Sequence, residues 1–117
     1  MKGNKMKILI AGSRTIEDFD LSKYISPDAD LIISGGARGI DSIAEAYADE
    51  HSISKLILRP RFDLYGSEAP FKRNEAMVDM ADTIFVVWDG ISRGTKHMID
   101  YAKKQNKPIT LVEKRRP

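Results

Sequence analysis

Glycines and arginines, rather than acids and histidines, carry the chemically suggestive spacing in this chain. The stretch ISGGARGID, Ile33–Asp41, sets Gly35, Gly36, Arg38 and Gly39 between an apolar run and an amphipathic one. A glycine-rich turn feeding a helix N-terminus exposes backbone N–H groups at the positive end of the helix dipole, which suits an anion. Arg38 adds a planar charged donor that fits phosphate or carboxylate, and Asp41 closes the motif. A second loop, DGISRGT (Asp89–Thr95), has the same character: Gly94 and Thr95 open another helical stretch and would hold a second polar group of the ligand. Asp89 either takes a ribose hydroxyl or caps its own turn. GSRT brings Gly12, Ser13 and Arg14 to the end of the first apolar run. In FKRNEA, Asn74 shares a helical stripe with Phe71, Val78 and Ala81, so it points inward, with Arg73 bordering that face and Glu75 turned to solvent. A buried amide must find partners, and Asn74 suits a ligand or a neighbouring loop equally well.

Several chemistries are disfavoured. A P-loop needs Gly-Lys-Ser/Thr, whereas Gly39 is followed by Ile40 and Asp41. The dinucleotide fingerprint needs GxGxxG after the first strand; here GGxxG follows the second, and about twenty residues on stands Arg59 instead of an acid. His51 and His97 are far apart with no ligand spacing around them, so no metal site is expected; magnesium would enter only with a phosphate ligand. His97 falls in a first helical turn, where the dipole disfavours imidazolium, and reads as a neutral surface histidine. The chain has no cysteine, which removes disulfides and thiolate chemistry and suits a reducing compartment. Its N-terminal apolar run is too short for a signal peptide or a membrane span, so a cytoplasmic protein with no membrane partner is expected. A net charge of +2 gives little pull on nucleic acid, and part of the excess lies in the KRRP tail, read as a solvated terminus.

These loops need elements to position them. With 117 residues, 42% hydrophobic and 31% charged, the chain is long enough for one globular domain, with a core over roughly residues 6–113. Five apolar segments recur: KILIA, DLIIS, KLILR, TIFVVW and PITLV. They are near-continuous apolar runs, as expected for strands covered on both faces in a parallel sheet. Between them, Ile40, Ile43, Ala44 and Tyr47 form a helical stripe, Pro70 starts a further helix, and Thr95 caps another with Met98, Ile99 and Ala102 inside. A short helix is expected over Ile16–Ile25. Phe71 and Trp88 read as core. Alternation predicts an α/β, doubly wound, Rossmann-like sheet of about five mostly parallel strands. Ligands bind such sheets beyond the carboxyl ends of the strands, where all the loops above fall. Arginines and backbone anion sites converging there predict a phosphorylated small molecule.

The order GSRT…ISGGARGID…YGSEAPFKRNEAM…ADTIFVVWDGISRGTKHMIDYAKKQNKPI resembles the LOG-like Rossmannoid superfamily (SLOG), and within it the small stand-alone domains of the YspA type. The resemblance spans roughly residues 6–113. It implies a nucleotide-sized pocket in which Gly35, Gly36 and Gly39 form the first glycine loop, Gly94 and Thr95 the second, with Arg73 near a functional arginine. Relatives are often dimers, so it also implies a homodimer, and Met77 and Met80 suit either a core or an interface. LOG phosphoribohydrolases carry PGGxGTxxE, whose glutamate serves cleavage; Met98 stands at that position here, and a thioether is no general base. Asp41 or Glu68 would have to substitute. Three functions follow as expectations: a nucleotide-binding or sensing domain first, then a nucleoside-monophosphate N-glycosidase or transferase. A DprA-like accessory protein for single-stranded DNA comes last, for nucleic acid is the less favoured partner.

Overall fold

The computed structural model describes residues 6–115. The expectation of no leader rests partly on residues 1–5, and the KRRP tail ends at Arg116 and Pro117; both lie outside the described residues. The strands are β1 (Lys7–Gly12), β2 (Leu31–Ser34), β3 (Ser54–Ile57), β4 (Thr83–Trp88) and β5 (Ile109–Glu113). All pair in parallel, in the order β3-β2-β1-β4-β5. The helices are α1 (Ile40–Glu50), the four-residue α2 (Phe62–Tyr65), α3 (Ala69–Met80) and α4 (Arg93–Lys104).

The apolar runs work as strands because each alternate side chain meets a different layer. Ile8 and Ile10 of β1, Ile32 of β2, and Phe85 and Val87 of β4 pack against Ile40, Ala44, Tyr47 and Ala48 of α1. Leu9, Ala11, Ile33, Ile84 and Val86 face Met77 and Val78 of α3 and Met98, Ile99 and Ala102 of α4. Each fully buried Ile or Leu contributes about 1.5–3 kcal/mol relative to exposure, so the sheet holds both faces firmly. Its central pair, β1 and β4, is the point where strand order reverses.

Three expectations about local structure are corrected. Ile16–Ile25 is not a helix; only Leu21–Lys23 forms a 3₁₀ turn. Asp20 accepts from both the N–H and the hydroxyl of Ser22, offering the backbone a turn in place of a helical ladder. Ile16, Leu21 and Ile25 are nonetheless buried, and Tyr47 donates its hydroxyl to the Ile25 carbonyl, so the segment is held by side chains. The cap of α4 is Ser92, with Thr95 inside the first turn; the two hydroxyls lie 3.1 Å apart. Phe71 and Trp88 are only half-buried, Trp88 donating its indole N–H to the Ser92 carbonyl at 3.0 Å. No helix among the described residues is long and apolar enough to cross a membrane.

Candidate functional site

A cleft of about 630 Å³ opens at the carboxyl edge of the sheet, beyond the paired ends of β1 and β4. The loop after β1 supplies Gly12, Arg14 and Thr15, and the junction of β2 with α1 supplies Gly35, Gly36, Ala37 and Asp41. Arg59 and Phe62 come from the segment after β3, and α3 presents Arg73, Asn74 and Met77. The loop after β4 brings Asp89, Ile91 and Ser92, and the start of α4 brings Arg93, Gly94, Thr95 and Met98. Most residues singled out in the sequence thus meet in one place. Ser13, Arg38 and Gly39 do not line it. Ser13 is buried beneath, its hydroxyl accepting the Asp89 N–H at 2.9 Å. Arg38 is exposed outside the cleft. Gly39 has a φ of +72°, and a Cβ there would sit 2.4 Å from the Ser13 carbonyl, so it serves the close approach of two loops.

The first glycine loop largely satisfies itself. Gly36 N–H donates to Ser34 Oγ at 3.3 Å, Ala37 N–H to Asp41 Oδ2 at 3.1 Å, and Ile40 N–H to the Ser13 carbonyl at 3.4 Å. Asp41 is buried, and that burial pushes its carboxyl up to about 6, against the opposing pull of the Ala37 N–H and the Arg73 guanidinium. A carboxyl raised in the fold costs nothing when protonated in both states. The cost grows from the ordinary value of 3.8 to about 6 and is full above that. Asp41→Asn keeps an oxygen for Ala37 N–H, so it is expected to stabilise the protein by about 2–3 kcal/mol at neutral pH. The gain should fade below about pH 4 in denaturant unfolding followed against pH; an equal gain at every pH would contradict the burial cost.

The α4 end is open by comparison. No hydrogen-bond partner is found among the described residues for the N–H groups of Arg93, Gly94 and Thr95. A Cβ at Gly94 would meet nothing within 4 Å. The loop leading into this end is fixed by Asp89, whose Oδ1 accepts the N–H groups of Ile91 and Ser92, both at 2.9 Å, while Oδ2 accepts the Thr15 hydroxyl at 3.0 Å. Burial alone would raise its carboxyl. The hydrogen bonds from Ser92, Ile91, Thr15 and Ser13 outweigh that and hold it down at about 2. Of the two roles open to Asp89 in the sequence, the structure displays the turn cap.

Arg73 and Asn74 tie the floor together. Arg73 Nη1 donates to the Gly35 carbonyl at 2.8 Å and the Leu58 carbonyl at 3.2 Å, and its Nε to Asn74 Oδ1 at 3.0 Å. Asn74, buried as expected, passes its Nδ2 to the Gly94 carbonyl at 3.3 Å, joining α3 to the start of α4. Met98 is buried in the cleft floor, and Glu68 lies outside the lining, so neither supplies a carboxylate there. Glu75 is half-buried rather than solvated, 3.5 Å from His97 Nε2. His97 packs against Phe71 of α3 and stays part-exposed, its Nε2 turned inward towards Glu75.

Sequence reasoning does not place Arg59, Phe62, Ile91 or Arg93 in the site. Arg59 donates to the Gly36 carbonyl at 3.3 Å, whereas Arg14 and Arg93 have no side-chain partner among the described residues. Phe62 and Ile91 are 59% and 79% exposed at the rim, where packing gives them no use. An exposed apolar residue inside a turn-rich loop was the available signal. Arginine donors, an open helix N-terminus and apolar rim groups together suit a ligand with an anionic end and a flat apolar end.

No protein-family model matches the chain, and no solved structure matches it significantly. It is similar to the Gene 61 protein of Mycobacterium phage D29, with 30% identity over an alignment of 116 positions that covers 88% of this chain and 93% of that protein. The parallel sheet, its glycine loops and this near-full-length similarity lead to one assignment: the chain belongs to the same family as the phage D29 Gene 61 protein.

Proposed function

We propose that the cleft binds a nucleotide or nucleotide-derived phosphorylated ligand, and that the chain is a ligand-binding or sensing domain of the SLOG type. The phosphate sits on the first turn of α4, against the N–H groups of Arg93, Gly94 and Thr95, with Arg14 and Arg93 as charged donors. The observation that carries this reading is the open N-terminus of α4 inside a cleft of nucleotide size, beside a first glycine loop in which the N–H groups of Gly36, Ala37 and Ile40 already have partners. Phe62 and Ile91 cover the base, and the cysteine-free sequence supports a cytoplasmic setting.

Thermal unfolding across nucleoside mono-, di- and triphosphates, dinucleotides and cyclic nucleotides tests it. A ligand at about a hundred times its dissociation constant adds about 2.7 kcal/mol, which raises the midpoint of a domain this size by about 10 °C. Gly94→Val separates binding from folding. Its side chain enters open space, so the midpoint without ligand should stay within about 3 °C, while the extra methyl groups obstruct the anion and remove most of the ligand-induced rise. A full rise in the variant would take the phosphate away from α4.

Glycosidic cleavage is the second reading, and Asp41 is the observation that favours it. Met98 occupies the place of the LOG glutamate and Asp89 is committed to its turn, which leaves Asp41, raised to about 6, as the acid-base group in the cleft. Release of free base from a nucleoside monophosphate, lost in Asp41→Asn, would establish it; no release from any nucleotide that binds would end it.

A further inference from the structure

Asp41 lies in the first turn of α1, where a carboxylate normally gains from the helix dipole. Here it is buried in the wall of a cleft otherwise equipped for an anion. Its Oδ2 takes the Ala37 N–H and lies beside the Gly35 backbone, 3.0 Å from where a Cβ would stand. Glu45, one turn along the same helix, is half-buried and accepts the Ser34 hydroxyl at 3.2 Å, which places two carboxylates on one face. Arg73 is the nearest cation from α3, yet its donors go to the carbonyls of Gly35 and Leu58 and to Asn74. Among the described residues no ion pair joins Asp41 to an arginine.

We propose that anion binding in this cleft is proton-linked, with Asp41 as the group that takes up the proton when the ligand arrives. The inference rests on the reading of the cleft as a phosphate site and names its regulation. A dianion held on α4 shares the cleft with the buried Asp41 carboxylate and meets a like charge across it, and protonating Asp41 removes that charge while the arginines stay cationic. The other charged groups facing the cleft are Arg14 after β1, Arg59 after β3, and Asp89 and Arg93 around the start of α4. Arginines do not titrate, and Asp89 is held ionised by its four hydrogen bonds. Asp41, at about 6, changes charge close to neutrality. His97 lies between α3 and α4 against Glu75 and Phe71, outside the cleft lining. A ligand would therefore bind more tightly as the surroundings acidify, and its binding would draw in a proton.

Sulfate is the probe, because its charge is constant across the relevant range. Its dissociation constant is read from the amide shifts of Gly94 and Thr95 at about pH 5.5 and about pH 7.5, the two sides of the Asp41 transition. The wild type should bind about sixfold more tightly at the lower pH, as a midpoint raised by about one unit requires, and Asp41→Asn should bind tightly at both. Glu45→Gln and His97→Gln should each keep the wild-type slope. Measurable binding with no pH slope in the wild type, or a slope that survives in Asp41→Asn, would overturn the proton linkage and leave the phosphate site standing. No sulfate response at either pH would overturn both. The Asp41 side-chain carboxyl resonance of the wild type gives an answer without a variant. Saturating sulfate should raise its titration midpoint by about one pH unit, and an unmoved midpoint would reject the proposal.

Discussion

Gly39→Ala is expected to cost the protein about 3–5 kcal/mol and lower its midpoint by at least about 10 °C. The residue sits at φ +72° and ψ −128°, a region that side chains adopt at a cost of about 1–3 kcal/mol. The added methyl would also lie 2.4 Å from the Ser13 carbonyl and 2.7 Å from the Arg14 backbone. Both neighbours are backbone at the end of β1, tied by Ser13 N–H to the Val87 carbonyl at 3.0 Å, so they cannot step aside independently. Overpacking of this kind costs about 1–3 kcal/mol more. Thermal or urea unfolding checks it, with Gly94→Ala, which meets open space, as the neutral counterpart. A midpoint for Gly39→Ala within about 3 °C of the parent would show that the two loops are not locked together.

Asp89→Ala should be nearly as damaging, at about 2–4 kcal/mol, because it strands the N–H groups of Ile91 and Ser92 and the Thr15 hydroxyl in a partly buried loop. The pH dependence identifies the cause. The carboxyl is held at about 2, below its ordinary 3.8, so its ionised form stabilises the fold above 3.8 and loses that contribution as pH falls through about 2. Asp89→Asn, which keeps one acceptor but no charge, should cost about 2 kcal/mol at neutral pH, and the cost should shrink towards acid. A deficit that does not change between about pH 7 and about pH 2.5 would place the effect in packing rather than in charge. Both substitutions also loosen the approach to α4, so each should weaken the proposed nucleotide binding even where the fold survives.

The strands and three long helices are legible in the sequence for a simple reason. KILIA, DLIIS and TIFVVW form the three inner strands and are mostly buried on both faces, so nearly every residue carries the signal; the edge strands β3 and β5 are largely exposed, against the expectation that all five are covered, because each has only one neighbouring strand. Ile16–Ile25 is expected as a helix only from its place after the first strand; its buried Ile16, Leu21 and Ile25 do not share one helical face, and Asp20 and Ser22 decide the backbone locally. The α4 cap was placed three residues late because Thr95 and Ser92 are both capping types, and only the turn made by Asp89 determines which one stands at the junction. The convergence of Gly12, Arg14, Gly35, Arg73, Asn74, Asp89 and Gly94 on one edge followed from parallel topology alone. Spacing does not reveal whether a loop's donors are already taken. ISGGARGID reads as the stronger anion site in sequence, yet Ser34 and Asp41 take the N–H groups of Gly36 and Ala37 from within. Nor does it reveal which arginine reaches the cleft, which Arg93 lines and Arg38 does not.

The central claim is that the cleft holds a phosphorylated ligand by the first turn of α4. The most direct test is to follow backbone amide shifts while AMP is added to the folded wild-type chain. The account predicts saturable movement centred on Arg93, Gly94 and Thr95, with smaller changes at Arg14 and Phe62. Movement confined to Gly36–Gly39 would return the phosphate to the first loop, and no saturable movement along this edge would contradict the account.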